Sequence, residues 1–100
     1  MTKRIRWSPQ ADNDLDQILD YLNKKWSNSV AVRFLNRIDE MTELILNDPK
    51  LFPVIEDLLK IRRCVLTKHN SLYYIVDEDG ISILRVFDTR QDPNKLRFAD

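Results

Sequence analysis

Arg62, Arg63, Lys68, His69, Arg85 and Arg90, with Tyr73 and Tyr74 among them, are side chains able to do polar chemistry that all fall in the second half of the chain. Guanidinium groups carry permanent charge, and an imidazole has the intrinsic pKa for proton work near neutrality. Were the substrate RNA, a base would take the 2′-hydroxyl proton while cations stabilise the charged phosphorane. Arg63, Arg85 and His69 are the catalytic candidates for that chemistry. A blander reading stands beside it. A histidine in "TKHN" is more often a turn residue than a catalyst, and the residues alone favour a strand arginine as half of a salt bridge. Side chains alternate along a strand, so Arg62 and Arg63 face opposite sides of a sheet. Arg85 interrupts the apolar run Ile81, Ile83, Phe87, where an unpaired charge is costly. Asp88 and Asp92, near the C-terminal turn, are the expected partners. Arg90 is the better candidate for an exposed contact.

Other chemistries are excluded more sharply. One histidine and one cysteine without ligand spacing give no metal site, and a single glycine gives no phosphate-cradling loop. No cofactor is expected. Cys64 lies inside an apolar strand, where a thiol packs rather than attacks. Asp12, Asp16 and Asp20 share one helical face and read as solvated surface. The 16 basic and 16 acidic residues cancel, which argues against a dedicated nucleic-acid binder, so no sequence-specific DNA binding is expected. Positive charge is local instead: "LLKIRRCVLTKHN" holds Lys60, Arg62, Arg63 and Lys68 without an acid. The lone cysteine and the absence of a long apolar run point to a reducing cytoplasm and no membrane association.

The elements that position these residues can be read from periodicity. Ile5 and Trp7 alternate with Arg4 and Arg6, suggesting an opening strand. Ser8-Pro9 then starts a helix over 9–25, serine as cap and proline in the first turn. Asp12, Asp14 and Asp16 suit its positive end, and Lys24-Lys25 its negative end. Ala11, Leu15, Ile18, Leu19, Leu22 and Trp26 recur at helical spacing as its apolar stripe. A second helix over 29–47 carries Ala31, Phe34, Leu35, Ile38, Met41 and Ile45, and ends at Asp48-Pro49. After a loop over 49–58 the period becomes two. Strands are predicted over 59–66, 71–77 and 81–88, the last pair joined through Gly80. One hundred residues make one domain, 1–100. The expected class is α+β: an N-terminal strand, then a helical hairpin on one face of a mainly antiparallel four-stranded sheet, in the order β-α-α-β-β-β.

The last two strands are apolar on both faces. Leu72, Tyr74 and Val76 point one way, Tyr73 and Ile75 the other; Ile81, Ile83 and Phe87 oppose Leu84 and Val86. A helical hairpin covers one face only. The other needs cover from the 49–58 loop, from the tail carrying Leu96 and Phe98, or from another chain.

Taken together, "IRWSPQADNDLDQILDYL", "AVRFLNRI", "IRRCVLTKHNSLYYIV" and "ISILRVFDTRQDP" resemble the RelE/ParE superfamily, the plasmid-stabilisation toxins of type II toxin–antitoxin modules. The resemblance runs nearly end to end. It implies a small cytosolic toxin neutralised by a cognate antitoxin whose disordered segment folds across its surface, a way to cover the second apolar face. It also implies one of two targets. ParE-like members bind and poison DNA gyrase, whereas RelE-like members cut mRNA on the ribosome as endoribonucleases. In the nuclease case Arg62 or Arg63 matches the strand arginine and Arg85 the later one. After "RVF", however, this chain has Asp88-Thr89-Arg90-Gln91-Asp92, where the nuclease pattern tends to place an imidazole or a phenol. That departure and the zero net charge favour gyrase binding over RNA cleavage. A non-toxic binding relative is a third class. Arg62, Tyr73, Arg90, Leu96 and Phe98 are the expected target or antitoxin contacts.

Overall fold

The computed structural model describes residues 4–98. Its elements are β1 (Arg4–Trp7), α1 (Pro9–Lys25), α2 (Asn28–Asn47), β2 (Val54–Glu56), β3 (Ile61–Thr67), β4 (Asn70–Asp77), β5 (Gly80–Asp88) and a 3-10 turn (Pro93–Lys95). The sheet has the order β1-β5-β4-β3-β2. β1 runs parallel to β5, and the other neighbours are antiparallel. The α+β class holds, with five strands rather than four. The additional strand, β2, lies inside the stretch expected to be a loop. Three residues after Pro53, paired irregularly with β3, leave too short a run for periodicity to register.

Local chemistry sets the helix ends. The Ser8 hydroxyl accepts from the Ala11 amide at 3.0 Å, and the Ser27 hydroxyl from the Val30 amide at 3.3 Å. Asp48 closes α2 ahead of Pro49. Gly80 is required by crowding as well as by its φ of +144°, since a Cβ there would lie 2.0 Å from the Arg4 carbonyl oxygen. The close approach lets β1 pair along β5 in the register Ile5 to Ile81 and Trp7 to Ile83.

Two apolar clusters sandwich the sheet. The larger joins Ala11, Phe34, Ile38 and Ile45 of the helices to Cys64, Leu72, Tyr74, Ile81, Ile83 and Val86. The smaller lies on the opposite face: Ile61, Tyr73 and Phe87 are buried, with Ile75, Leu84, Leu96 and Phe98 packed against them. The tail therefore covers the Ile61, Tyr73 and Phe87 cluster of the second face, while Val65 farther along β3 stays exposed. Phe98 packs edge-on against Tyr73 with ring centroids 5.4 Å apart. The apolar pattern alone thus gives no reason for a wrapping partner.

The facing of β5 also differs from simple alternation. Tyr73 pairs with Arg85 but Tyr74 pairs with Ile83, so Leu84 is an extra residue in a β-bulge. The bulge resets the parity. Val86 joins Ile81 and Ile83 on the helical side, and Phe87 turns to the second face.

Candidate functional site

Cross-strand register places three of the candidate residues in one row. Arg63 on β3 lies opposite Tyr73 on β4, which lies opposite Arg85 on β5. The row is on the tail-covered face, and its three members are in very different states.

Arg85 is fully engaged. Beyond Ile83, β1 no longer accompanies β5, and the start of α1 takes its place. The Ser8 amide donates to the Ile83 carbonyl at 2.9 Å, and the Ser8 hydroxyl to the Leu84 carbonyl at 2.7 Å. In the second turn of α1, the Asp14 carboxylate accepts from the Val86 amide at 3.0 Å. It also accepts from Arg85 Nε at 2.7 Å and Nη2 at 3.0 Å. Arg85 Nη1 donates to the Arg97 carbonyl at 2.9 Å, tying in the tail. Both side chains of the pair are 14% exposed. The bonds to Asp14 raise the Arg85 pKa, with burial opposing. Arg85 does not pair with Asp88 or Asp92, as the sequence suggested. The bulge and the adjoining helix bring an acid from 71 residues away instead.

Tyr73 is 4% exposed beneath Phe98. Arg63 is exposed, and no carboxylate among the described residues lies within ion-pair distance of it. His69 stands off the row, in the β3–β4 turn. Its carbonyl accepts from the Thr89 amide at 2.7 Å and the Thr89 hydroxyl at 3.2 Å, which joins that turn to the end of β5. Arg90 is exposed but paired, with Nε 3.0 Å and Nη2 2.7 Å from the two oxygens of Asp88. That fork holds the Asp88 carboxyl below its ordinary pKa.

Arg62 takes a structural position. Its Nη1 donates to the Phe52 carbonyl at 2.6 Å and the Lys50 carbonyl at 3.1 Å, while the Tyr74 hydroxyl donates to the Pro49 carbonyl at 2.9 Å. These bonds fasten the stretch that leads from α2 to β2. Burial pushes the Tyr74 phenol up to about 12 and the Cys64 thiol up to about 11. Leu96 and Phe98 are part of the molecule's own packing.

A cleft of about 510 Å³ between α1 and the exit of β5 is lined by Asn13, Gln17 and Tyr21 from the helix and Arg85, Val86 and Phe87 from the strand. Among the described residues there is no cluster of His, Cys, Asp and Glu suited to a metal, and no helix long and apolar enough to cross a membrane.

Sequence reasoning missed Asp14. The signal was present: it stands three residues after Ala11 and four before Ile18, on the buried side of α1, so a cation was owed to it. Also missed were Leu58 and Leu59, which stand exposed at the turn between β2 and β3.

The structure is similar to several solved toxin–antitoxin proteins. A chromosomal ParDE system from P. aeruginosa matches with a TM-score of 0.71 at 20% identity, covering 86% of this chain and 95% of that one. The DinJ–YafQ toxin–antitoxin complex of E. coli matches with a TM-score of 0.61 at 13% identity, covering 90% and 96%. The YoeB–YefM complex of Staphylococcus aureus matches with a TM-score of 0.54 at 19% identity, covering 86% and 95%. Identities this low establish the shared fold alone. A search of curated protein sequences finds no match. The model of the ParE toxin of the type II toxin–antitoxin system parDE matches residues 5–93. Nearly the whole described chain falls within that span, and the protein belongs to the ParE toxin family.

Proposed function

We propose that this protein is a cytoplasmic ParE-like toxin that inhibits DNA gyrase by binding and is held inactive by a cognate antitoxin. The observation that carries the reading is the condition of the Arg63–Tyr73–Arg85 row. Arg85 is neutralised by Asp14, Tyr73 lies under Phe98, and the one imidazole stands off the row. General acid–base chemistry needs a proton acceptor within hydrogen-bond reach of its substrate, beside free cations for the developing charge. A surface that works by contact needs neither. The ParE family match and the likeness to a ParDE system support the same side. Several similar structures are toxin–antitoxin complexes, which supports an antitoxin partner.

The alternative is a RelE-like ribosome-dependent mRNA endoribonuclease. Its support is the register itself, which aligns two arginines and a phenol across three strands, with Arg63 exposed. Purified chain separates the two. Gyrase binding predicts loss of supercoiling and accumulation of cleaved DNA–gyrase complexes. Unchanged supercoiling, together with mRNA cut in translating ribosomes, would reverse the choice. A folded chain inactive in both assays would make it a non-toxic binding relative.

A further inference from the structure

We propose that the β2–β3 hairpin is the surface with which this protein grips its cellular target, and that the target offers an apolar pocket rimmed by carboxylates. The proposal rests on the reading of the chain as a toxin that acts by binding a protein. Leu58 is 89% exposed and Leu59 55% exposed, side by side at the tip of the turn. Leu51 and Ile55, on the approach to that turn, are exposed as well. Half of the exposed large apolar side chains in the described structure fall between Leu51 and Val65. An isolated exposed leucine needs no explanation, but a concentration in one short hairpin does.

The tip is built rigidly. The Glu56 carboxylate accepts from the amides of Leu58 and Leu59 and so closes the turn from within. Lys60 takes a left-handed φ of 59°, unusual for a side-chain-bearing residue, and directs the chain straight into β3. Arg62 fastens the approach from the other side through the Lys50 and Phe52 carbonyls. Two leucines held out on a braced turn lose little further freedom on binding, which favours contact.

Charge selects the occupant. Lys60 lies in the turn, with Lys50 on the approach to β2 and Arg63 on β3, and all three are exposed. Among the described residues, no carboxylate lies within ion-pair distance of any of them. Glu56 is committed to the turn, which leaves Asp57 as the exposed acid of the tip. A second copy of this chain, meeting hairpin to hairpin, would set like charges against each other. The chain's own tail is already seated on the opposite cluster. Nucleic acid would satisfy the cations and leave two aliphatic side chains in water. An acidic protein surface with an apolar recess satisfies both, the leucines filling the recess and the cations ringing it.

The test uses the full chain in two assays, growth arrest on expression and inhibition of gyrase supercoiling by the purified protein. The variants are Leu58→Ser/Leu59→Ser and Lys60→Glu/Arg63→Glu. All four side chains point to solvent, so thermal unfolding should stay close to that of the parent. Loss of about 2 kcal/mol of apolar burial predicts a roughly 30-fold weaker effect for the serine pair. The charge-reversed pair should be weakened about 10-fold, with antitoxin binding unchanged. Equal potency of parent and variants overturns the proposal. If the parent arrests growth and the serine pair does not, while gyrase is untouched by either, the hairpin assignment stands and the gyrase reading falls. A parent inactive in both assays overturns both. Binding of the parent to phosphatidylglycerol vesicles, lost in the serine pair, would replace the protein target with a membrane and overturn the assignment.

Discussion

Asp14, in the second turn of α1, holds Arg85 of β5 through paired hydrogen bonds of 2.7 and 3.0 Å, and its carboxylate also caps the Val86 amide. One carboxylate thus closes the stretch of β5 that β1 does not reach, while the same guanidinium secures the tail through the Arg97 carbonyl. Helix, sheet and tail meet at this pair. Breaking a mostly buried pair by removing one partner strands the other charge, at a typical cost of about 3 kcal/mol. Asp14→Ala should therefore lower stability by about that amount in urea unfolding. The apolar double replacement Asp14→Leu/Arg85→Met should regain most of it. A loss below about 0.5 kcal/mol for the single variant, as at an ordinary surface site, would contradict this placement.

The tail is a structural element rather than a loose end. Leu96 and Phe98 cover Ile61, Tyr73 and Phe87. Leu96→Ala/Phe98→Ala should cost about 3 kcal/mol and expose enough apolar surface to enhance the fluorescence of a hydrophobic dye. Unaltered dye binding together with unaltered stability would mean the second face is sealed some other way.

Cys64 is fully buried, and its thiol is pushed up to about 11 by that burial. Thiolate is the reactive form. At pH 8 the folded protein should react with a disulfide reagent at least 100-fold more slowly than the chain in urea, a rate set by opening of the core. Rapid stoichiometric labelling under native conditions would show the β3 core to be open.

Acid sensitivity should trace in part to Asp88, whose carboxyl is held below its ordinary 3.8 first by the Arg90 hydrogen bond. A carboxyl depressed in the folded state stabilises it above the unfolded-state pKa, and that contribution disappears as pH falls through the folded value. Stability should thus decline below about pH 4, and Asp88→Asn should flatten the decline while leaving the ranking of other variants intact. An identical slope for both proteins in urea midpoints from pH 5 to pH 2.5 would assign the sensitivity elsewhere.

Much of this fold is legible in the sequence because it is encoded locally. Ser8-Pro9, Ser27 and Asp48-Pro49 mark the helix ends, and the Leu72–Val76 alternation marks its strand. What was not legible depends on interactions between distant segments. Counting alternate residues along β5 fails at Leu84 because a bulge is a property of two strands, not one. The partner of Arg85 is not one of its neighbours in sequence, because the packing of α1 along the open stretch of β5 supplies Asp14. β2 exists by virtue of its pairing with β3, not its own pattern. Of the candidate site residues, register unites Arg63, Tyr73 and Arg85 but leaves His69 apart, and Arg62 proves to be a brace for the α2–β2 connection.

Binding of gyrase is the proposed action of this ParE-family chain. A supercoiling assay with purified gyrase, relaxed plasmid and the antitoxin-free protein tests it most directly. The expected outcome is dose-dependent loss of supercoiled product with trapped, cleaved DNA, reversed by antitoxin and retained in His69→Ala. Full supercoiling at a large molar excess of folded protein would contradict it.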